Sequence, residues 1–458
     1  MISSLTSFRN PFFIGVAGVG MSAIAQYLEG IGMNVSGSDR FFAPGQYNEI
    51  KEKLEAEGIK CFVQDGEGIT AETDLVVVST AIEDTVVEVQ KAKQLNIPVM
   101  RRSELLALIA QSKKTIAVGG TSGKSTTSAM LFDILEYGGM EPSIISGAGL
   151  ISLIGKGKIG NAKVGKGDWL VIEADESDGS IVQYKPEIGV LLNIDKDHQE
   201  IDELMNVFTV FKNNSKHFVV NRSHPLAKKL SQELQQDFSA DPAVHAGYTA
   251  TDFNQQGFTI HFKIQGVDFE MNLVGRHNME NALAAVTVAN GIGVPLETCA
   301  AALKKYEGIY RRHQVIGNKN GVWLIDDYAH NPVKCAAAIE ACQPAAPKVI
   351  AWFQPHGYKP TKFLRVDFVK EIANALRPDD EIWMSEIFYA GGTAVKDISA
   401  NDLIKDLQAL GKKAFFVENR NDFMKAVRSH LTNNCVLLLM AARDPSLEKF
   451  AQEVWANL

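Results

Sequence analysis

The chain has 458 residues, of which 46% are hydrophobic and 22% charged, and its net charge is −8. This length is typical of about three domains, and the composition is that of a globular enzyme. The acidic balance excludes generic binding to nucleic acid, which depends on basic patches. No apolar run reaches the ~18 residues that span a bilayer, so we expect no membrane partner.

The N-terminus carries a single basic residue, and its apolar stretch runs directly into a glycine-rich turn. This pattern indicates a first strand and not a signal peptide, which favours a cytoplasmic location. The five cysteines are scattered and never form a CxxC pair. We therefore expect reduced, mostly buried thiols, with neither a disulfide framework nor a zinc site.

The first segment, 1–112, alternates short apolar runs with helical periodicity, which is the rhythm of a parallel α/β sheet. Its first strand is followed by the glycines of GVAGVGMS and by a helix predicted from Met21 to Ile31. Such a glycine turn, with Asp39 about 20 residues later, is also typical of a dinucleotide site. A structural explanation is that the glycines only permit a tight strand-to-helix turn.

The second segment opens with an apolar strand, the stretch GGTSGKSTT and a strong helix-forming run. Gly120 and Gly123 would let backbone N–H groups converge on phosphate oxygens at the start of the helix. Lys124 would contact the β and γ phosphates, and Ser125 would bind Mg²⁺. Val118 stands where the common Walker pattern has glycine, and the alternative is an incidental turn, but strand, turn, GKS and helix together predict a phosphate loop.

Two further polar segments follow apolar strands, at the edge where parallel sheets bind ligands. EADESD begins with Glu173, a candidate Mg²⁺ ligand, and NIDKDH ends with His198, a candidate for a second metal's shell. Magnesium prefers oxygen, so the alternative for His198 is a hydrogen-bonded structural histidine. For Asp175, Glu176 and Asp178 the alternative is a solvated loop, which we expect for at least one of them.

Later in the chain, the alternation between Phe258 and Leu273 predicts a hairpin that turns near Gly266. A helix from Asn278 to Asn290 follows, and a third strand–helix cycle begins at VWLIDDYAH. We place domain boundaries near 112 and 309 from these patterns.

Nine ordered blocks of the sequence resemble the Mur ligase family. These blocks are GVGMS at 18–22, SGSD at 36–39, VVSTAI at 77–82, GTSGKSTT at 120–127, EADESD at 173–178, GRHNMENALAA at 275–285, YRRH at 310–313, DDYAHNP at 326–332 and FQPHGY at 353–358. The resemblance implies three α/β domains. They are a Rossmann-like domain for a UDP-sugar at 1–112, a central P-loop ATPase with a parallel or mixed sheet at 113–308, and a Rossmann-like domain for an amino acid at 309–458.

The resemblance also implies a function in peptidoglycan precursor synthesis. The expected enzyme uses ATP and Mg²⁺ to join an amino acid, L-alanine in the branch that the chain resembles most, to UDP-N-acetylmuramate through an acyl phosphate.

The implied catalytic residues are Lys124, Glu173, His198, Arg312 and Asp327, and the implied metal ligands are Ser125, Glu173 and His198. The implied ATP-binding residues are Gly120, Thr121, Gly123, Lys124, Ser125, Thr126, Asn278, Asn281 and His330. Those implied for the UDP-sugar are Met21, Ser22, Asp39 and Ser79. Helix capping is the alternative for Asn278. We expect a monomer or weak homodimer.

Several positions depart from the alanine-adding pattern, and most lie in the segment expected to read the amino acid. FQPHGYKPTKF carries Gly357, Pro360 and Lys362 where that branch has arginines nearby, and Ser122 replaces a usual histidine. One alternative is therefore a Mur-type paralogue that uses another amino acid or a muropeptide. Two others are an NAD-dependent oxidoreductase, which would leave GKST and EADESD unexplained, and a non-catalytic nucleotide-binding regulator.

Overall fold

The computed structural model describes residue 2 and residues 4–177, 179–195, 200–389, 395–444 and 446–458. Helices and strands alternate along the described chain, and most strand pairs are parallel. The predicted α/β class is therefore confirmed. Over the described residues, no helix combines the length and the apolar character that a membrane span requires.

The chain divides into two compact units. The first contains Met1–Asp252, Phe262–Met271 and Met279–Ile309, and the second contains Phe253–His261, Asn272–Asn278 and Tyr310–Leu458. The boundary predicted near 112 lies inside the first unit, and the division into three domains stays a prediction.

The N-terminal sheet is parallel, with strand order β3-β2-β1-β4-β5. Its elements are β1 (Pro11–Ile14), α1 (Val19–Gly30), β2 (Ser36–Asp39), α2 (Glu49–Ala56), β3 (Lys60–Val63), β4 (Leu75–Val78), α3 (Val87–Gln94), β5 (Val99–Arg101) and α4 (Arg102–Gln111). Strand β1 is buried along its whole length, which explains its uninterrupted apolar sequence. The helix predicted after the glycine turn is confirmed as α1.

The central sheet has strand order β11-β10-β6-β9-β7-β8 and is parallel except for the β7–β8 pair. Its elements are β6 (Lys114–Gly119), α5 (Lys124–Tyr137), β7 (Ser143–Ile145), α6 (Ile151–Ile154), β8 (Ala162–Lys163), β9 (Trp169–Ala174), β10 (Ile188–Leu191), α7 (Ile201–Asn214) and β11 (His217–Val220). Gly119 pairs with both Ala174 and Leu191, so β6, β9 and β10 end at one edge. The loops that follow these three strands therefore share that edge, where open α/β sheets bind ligands.

A smaller sheet with order β12-β13-β14-β15 follows. Its strands, with the two helices after them, are β12 (Phe238–Ser239), β13 (Tyr248–Gln256), β14 (Thr259–Ile264), β15 (Val267–Met271), α8 (Arg276–Gly291) and α9 (Leu296–Lys304). The predicted hairpin is confirmed, because Gln265 and Gly266 turn between β14 and β15 with φ of 50° and 82°.

The C-terminal sheet has order β16-β17-β21-β18-β19-β20, and its β16–β17 pair is antiparallel. Its elements are β16 (Gln314–Lys319), β17 (Val322–Asp327), α10 (Pro332–Cys342), β18 (Lys348–Gln354), α11 (Tyr358–Phe363), α12 (Arg365–Ala375), β19 (Glu381–Met384), α13 (Ala400–Ala409), β20 (Lys413–Phe416), α14 (Phe423–Val427), β21 (Cys435–Ala441) and α15 (Leu447–Asn457). The five cysteines are free thiols and all except Cys61 are buried, so the prediction of mostly buried thiols is confirmed.

Candidate active site

The predicted phosphate loop joins the end of β6 to the start of α5. Gly120 and Gly123 have φ of 137° and 88°, a region that residues with a Cβ rarely adopt. A Cβ at Gly120 would also lie 3.1 Å from the backbone nitrogen of Asn193, and one at Gly123 would collide with Oδ1 of Asn281. Both glycines are thus required by backbone conformation and by close packing. The helix start that they permit directs backbone N–H groups outward, as anion sites need.

Lys124, the first residue of α5, is held at this loop by two acceptors. Its Nζ donates to the carbonyl of Gly120 and to Oε2 of Glu176, each at 2.8 Å, while Oδ1 of Asp175 lies 3.9 Å away. The Glu176 side chain is only 8% exposed, whereas Asp175 is 45% exposed. Burial raises the pKa of Glu176 although Lys124 acts in the opposite direction. We expected part of EADESD to be a solvated loop, and this expectation holds for Asp175 but not for Glu176.

Ser125 and Glu173 meet beside the loop and present oxygen atoms to the same space. The Ser125 hydroxyl donates to Oε2 of Glu173 at 2.8 Å. The other carboxylate oxygen, Oε1, accepts from the Ser146 hydroxyl at 2.8 Å and from the Gly147 N–H at 2.6 Å. These are hard oxygen donors, the type that Mg²⁺ prefers, so the pair fits the predicted ion. Thr126 lies beside them in the first turn of α5.

Asn193, which the sequence analysis did not single out, holds the other side of the loop. Its Oδ1 accepts from the Ser122 N–H at 2.8 Å, and its Nδ2 donates to the Ser122 carbonyl at 3.0 Å. Thr121 is fixed similarly, because its hydroxyl oxygen accepts from the Asp195 N–H at 2.9 Å. The position of Asn193 directly after the apolar run of β10 was the available signal. His198, predicted in the same segment, lies outside the described residues, as does Asp178.

The two asparagines predicted on α8 have different surroundings. Oδ1 of Asn281 lies 3.2 Å from the Thr127 hydroxyl, so Asn281 packs against the first turns of α5. Asn278 belongs to the second compact unit and donates from Nδ2 to the carbonyl of Val274 at 2.8 Å. Nδ2 of Asn278 therefore stabilises the chain entering α8 as a donor.

The residues predicted for the UDP-sugar lie around the ends of β1, β2 and β4. Asp39 is buried, and its two oxygens accept from the N–H groups of Ala17 and Phe41, each at 3.0 Å. This carboxylate therefore fixes the glycine turn, whatever else it binds. Met21 is buried in α1, and Ser79 follows β4, where its hydroxyl oxygen lies 3.4 Å from the Ala81 nitrogen.

Ser22 takes part in a buried polar network that sequence reasoning missed. The Asn161 amide donates to the Ser22 hydroxyl at 2.9 Å and to the Val19 carbonyl at 2.8 Å. In turn, Nε2 of Gln26 donates to Oδ1 of Asn161 at 2.7 Å. Asn161 comes from the central segment, immediately before β8, so it connects the first turns of α1 to that segment. No local pattern in the sequence marks such a long-range amide contact.

In the second unit, strands β16 and β17 form a hairpin that brings YRRH beside DDYAH. Asn320 and Gly321, with φ of 55° and 80°, make the two-residue turn, and Gln314 pairs with Asp326. Continuing this register by one residue sets His313 opposite Asp327. The sequence analysis missed β16, although the Asn-Gly dipeptide before an apolar run is a strong hairpin signal.

His313 and Asp327 form a buried pair at this position. Oδ2 of Asp327 lies 3.1 Å from Nδ1 of His313 and accepts from the His313 backbone N–H at 2.6 Å. Burial alone would raise the pKa of Asp327, but His313 outweighs it and holds that pKa at about 2. Burial likewise opposes the charge on His313, yet the Asp327 carboxylate raises its pKa well above the usual value. Both groups are therefore charged at neutral pH.

Arg312, the predicted catalytic arginine, lies between two fixed neighbours. Arg311 donates from Nε to Oδ2 of Asp326 at 2.8 Å, and the Arg312 guanidinium lies 4.9 Å from the centre of the Tyr328 ring. Arg311 and His313 both have positive φ, 55° and 47°. A backbone of this kind costs roughly 1–3 kcal/mol per residue and persists only where other contacts hold it. The buried ion pairs on both sides of Arg312 supply those contacts.

His330, predicted to bind ATP, follows β17 and is close to His356. Nδ1 of His330 lies 2.9 Å from the Tyr328 carbonyl, and the two imidazole rings are 5.7 Å apart. Burial lowers the pKa of His330 to about 4 and also lowers that of His356. Both rings are therefore neutral at pH 7.

A glycine-rich loop at a helix start, with a lysine and a serine–carboxylate oxygen pair on a parallel sheet, is the arrangement typical of enzymes that bind nucleotides and transfer phosphoryl groups. The chain matches three families in order: "Mur ligase family, catalytic domain" at residues 12–114, "Mur ligase middle domain" at 118–289 and "Mur ligase, glutamate ligase domain" at 311–443. Together with the relatives below, these matches establish that the chain belongs to the Mur ligase family.

Curated relatives and solved structures agree with this assignment. The UDP-N-acetylmuramate–L-alanine ligase of Carboxydothermus hydrogenoformans is 34% identical over 447 residues, which cover 94% of this chain and 93% of the relative. The enzyme of the same name from Geotalea uraniireducens is 35% identical over 441 residues, covering 92% and 91%. The crystal structure of the UDP-N-acetylmuramate–alanine ligase of Thermotoga maritima has the same fold, with a TM-score of 0.80, 24% identity and 98% coverage of both chains. A murein peptide ligase from Psychrobacter arcticus shares the fold with a TM-score of 0.67, 19% identity and 98% coverage of both chains.

Proposed function

We propose that this protein is an ATP-dependent ligase that joins L-alanine to the carboxylate of UDP-N-acetylmuramate in peptidoglycan precursor synthesis. The proposal is supported by relatives of that name at about 34% identity over 94% of the chain. The observation in the structure that carries it is the meeting of Lys124, Ser125 and Glu173 at the phosphate loop. Membership of a ligase family leaves the NAD-dependent alternative without support.

The proposed chemistry has two steps. The substrate carboxylate attacks the γ-phosphorus of ATP, which gives an acyl phosphate and ADP. The amine of the amino acid then attacks the acyl carbon, so that an amide forms, inorganic phosphate leaves and the amine loses a proton. Lys124 is placed at the helix start, where its ammonium group offsets the negative charge that gathers on the transferring phosphoryl group.

Ser125 and Glu173 are the residues that we assign to Mg²⁺, because their oxygens already share one space. When bound, the ion would supply positive charge and orient phosphate oxygens. Ser146 and Gly147 hold Oε1 of Glu173, and the other carboxylate oxygen, Oε2, contacts Ser125 at the loop. His198 remains a proposed ligand.

The other predicted residues receive roles in the same scheme. We assign Arg312 to the acyl phosphate and to the tetrahedral adduct, since guanidinium groups bind such oxyanions well. The proposed nucleotide contacts are Gly120, Thr121, Gly123, Thr126, Asn278, Asn281 and His330, and Asp327 keeps the catalytic role that the resemblance implies. The proposed UDP-sugar contacts are Met21, Ser22, Asp39 and Ser79. We further propose that the enzyme works in the cytoplasm, where UDP-sugars and ATP are available, as a monomer or weak homodimer.

Phosphate release from ATP tests this function. The purified protein is incubated with Mg²⁺, ATP, UDP-N-acetylmuramate and, separately, L-alanine, glycine, L-serine or a muropeptide, and the product is identified by mass. We expect the largest kcat/KM with L-alanine. Preference for a muropeptide would replace the alanine-adding assignment with the paralogous one, and the differences at Gly357, Pro360 and Lys362 make this comparison necessary. Absence of turnover with every acceptor would overturn the proposed ligase.

A further inference from the structure

The segment that carries Arg312 is fixed by contacts on both sides of that residue. Before it, Arg311 is held by Asp326 and by the carbonyl of Ala441, each at 2.8 Å. After it, His313 is only 6% exposed and is held through three separate groups, its backbone N–H and both ring nitrogens. Arg312 itself is partly exposed and contacts the ring of Tyr328. The side chain of Arg312 is thus partly exposed, whereas those of Arg311 and His313 on either side of it are buried and held by hydrogen bonds.

The two ring nitrogens of His313 face different partners. Nδ1 lies 3.1 Å from Oδ2 of Asp327, and Nε2 lies 3.2 Å from the carbonyl of Ala338 in α10. Both partners are acceptors, so an imidazolium, which donates from both nitrogens, satisfies both. Asp327 has a second task, because its Oδ1 accepts from the Ala329 N–H at 2.7 Å. One carboxylate therefore joins the YRRH segment to the DDYAH turn.

The other titratable groups around His313 agree with this arrangement. From α10, Sγ of Cys342 lies 3.7 Å from Nε2, and from α8 the ring of His277 is 6.0 Å away, centre to centre. Burial, followed by the positive charge on His313, lowers the pKa of His277 to about 4, so His277 is neutral at pH 7. The Asp327 carboxylate also interacts with the Arg312 guanidinium and with the neighbouring Asp326 carboxylate, which is paired with Arg311.

We propose that His313 is a positioning residue for Arg312: its pairing with Asp327 holds the left-handed backbone on which the Arg312 guanidinium is presented to the reacting oxyanion. The inference rests on the proposed function, in which Arg312 stabilises the acyl phosphate and the adduct. His313 itself contacts protein groups and acts through its neighbour. Loss of the Nδ1 contact should let the segment shift, and displacements of about 1 Å in such groups cost on the order of 100-fold in rate.

Two substitutions separate the Nδ1 contact from the rest of the side chain. In His313→Asn the amide nitrogen occupies the place of Nδ1, and asparagine tolerates positive φ well. In His313→Gln the amide nitrogen occupies the place of Nε2, so Asp327 loses its side-chain partner and keeps only the backbone N–H contacts of residues 313 and 329. We expect His313→Gln to lower kcat by about 30-fold with the KM for ATP changed by less than about 3-fold. His313→Asn should stay within about 5-fold of the wild type.

A second pair of variants shows whether the effect runs through Arg312. His313→Gln is also made in an Arg312→Ala background, where we expect it to lower kcat by less than about 3-fold further. A full 30-fold loss in that background, or equal kcat in the wild type and His313→Gln, overturns the inference. Thermal unfolding of each variant shows whether the protein is folded. If the loss of kcat among the variants follows their unfolding temperatures and not the presence of the Nδ1 contact, the inference is also overturned. Absence of turnover in the wild type would overturn the proposed ligase instead, so the two failures are distinct.

Discussion

The phosphate loop and the β16–β17 hairpin both concentrate charge, but they do so in opposite ways. At the loop, the Lys124 side chain is 16% exposed, and its ammonium group donates both to Glu176 and to the carbonyl of Gly120. At the hairpin, His313 and Asp327 are buried and satisfy one another. The positive charge at the loop is therefore available to interact with a substrate. The hairpin uses its charge to fix the backbone.

This difference predicts different responses to mutation. Changes at Lys124 should alter rate and nucleotide affinity with little effect on stability, because its side chain is partly exposed. Changes at the hairpin should alter stability and its pH dependence, because removal of one buried partner leaves the other charge uncompensated.

Lys124→Ala should give the largest effect on the loop side. We expect kcat to fall at least ~100-fold, because electrostatic stabilisers of a developing charge contribute a few kcal/mol. Glu176 should stay compatible with the fold, since its pKa is already raised and it can take up a proton. Steady-state phosphate release measures the change, with the exposed Lys229→Ala as the matched control. Near-normal turnover in Lys124→Ala would remove the loop lysine from the mechanism.

The contrast also explains which features could be predicted from sequence. The strand, glycines, lysine and helix of the phosphate loop are contiguous, so local propensity and geometry lead to the same answer. The meeting of Ser125 with Glu173 followed from the rule that parallel strands end at one edge. The choice of Glu176 over Asp175 as the partner of Lys124 depends on the path of a loop, which periodicity does not encode.

Long-range pairings were the harder part. The His313–Asp327 pair depends on the register of a hairpin, and a shift by one residue would turn His313 to the other face. The contact between Asn161 and Ser22 joins residues far apart in the chain through two neutral side chains. Neither has a compositional signature, so only the folded chain reveals them.

His277 lies in α8, and its ring is 6.0 Å from that of His313, centre to centre. The substitution His277→Gln should change the pH dependence of stability. The pKa of His277 is about 4 in the folded chain, below the ordinary 6.5, so the unfolded chain binds more protons between these values. Stability therefore rises with pH in this window, by up to about 1.4 kcal/mol per pH unit for this group. The variant should lose that part of the slope.

Urea unfolding followed by tryptophan fluorescence from pH 4.5 to 7 measures this slope. Trp323, Trp352, Trp383 and Trp455 all belong to the second unit, as does His277, so the signal reports mainly on it. His330, whose pKa is also about 4, should keep its own contribution in the variant. An unchanged slope would mean that His277 is not buried in its neutral form.

Gly123→Ala tests whether the loop conformation itself is needed for nucleotide binding. The added Cβ meets both a positive φ of 88° and the side chain of Asn281. We expect the KM for ATP to rise about 10-fold, since strain of this kind costs about 1–2 kcal/mol. Gly139→Ala is the matched control, because Gly139 has φ of 76° just after the same helix and nothing within 4 Å of an added Cβ. Equal effects at both positions would assign the loss to backbone strain alone.

Glu176→Gln should give the smallest effect. It is also the sharpest test of the idea that the Lys124 charge is available to interact with the nucleotide. The carboxylate that now pairs with Lys124 at 2.8 Å must compete with the phosphates of ATP for the same ammonium group. Replacing it with a neutral amide keeps the shape and removes the competitor, so ATP should bind about 5-fold more tightly, the order of one partly screened charge contact. Calorimetry with Mg²⁺ and ATP measures the affinity, and Asp175→Asn, which removes a carboxylate 3.9 Å from Lys124, should change it less. Weaker binding in Glu176→Gln would show that Glu176 orients Lys124 for the nucleotide, and the loop would then resemble the hairpin in using a buried carboxylate for positioning.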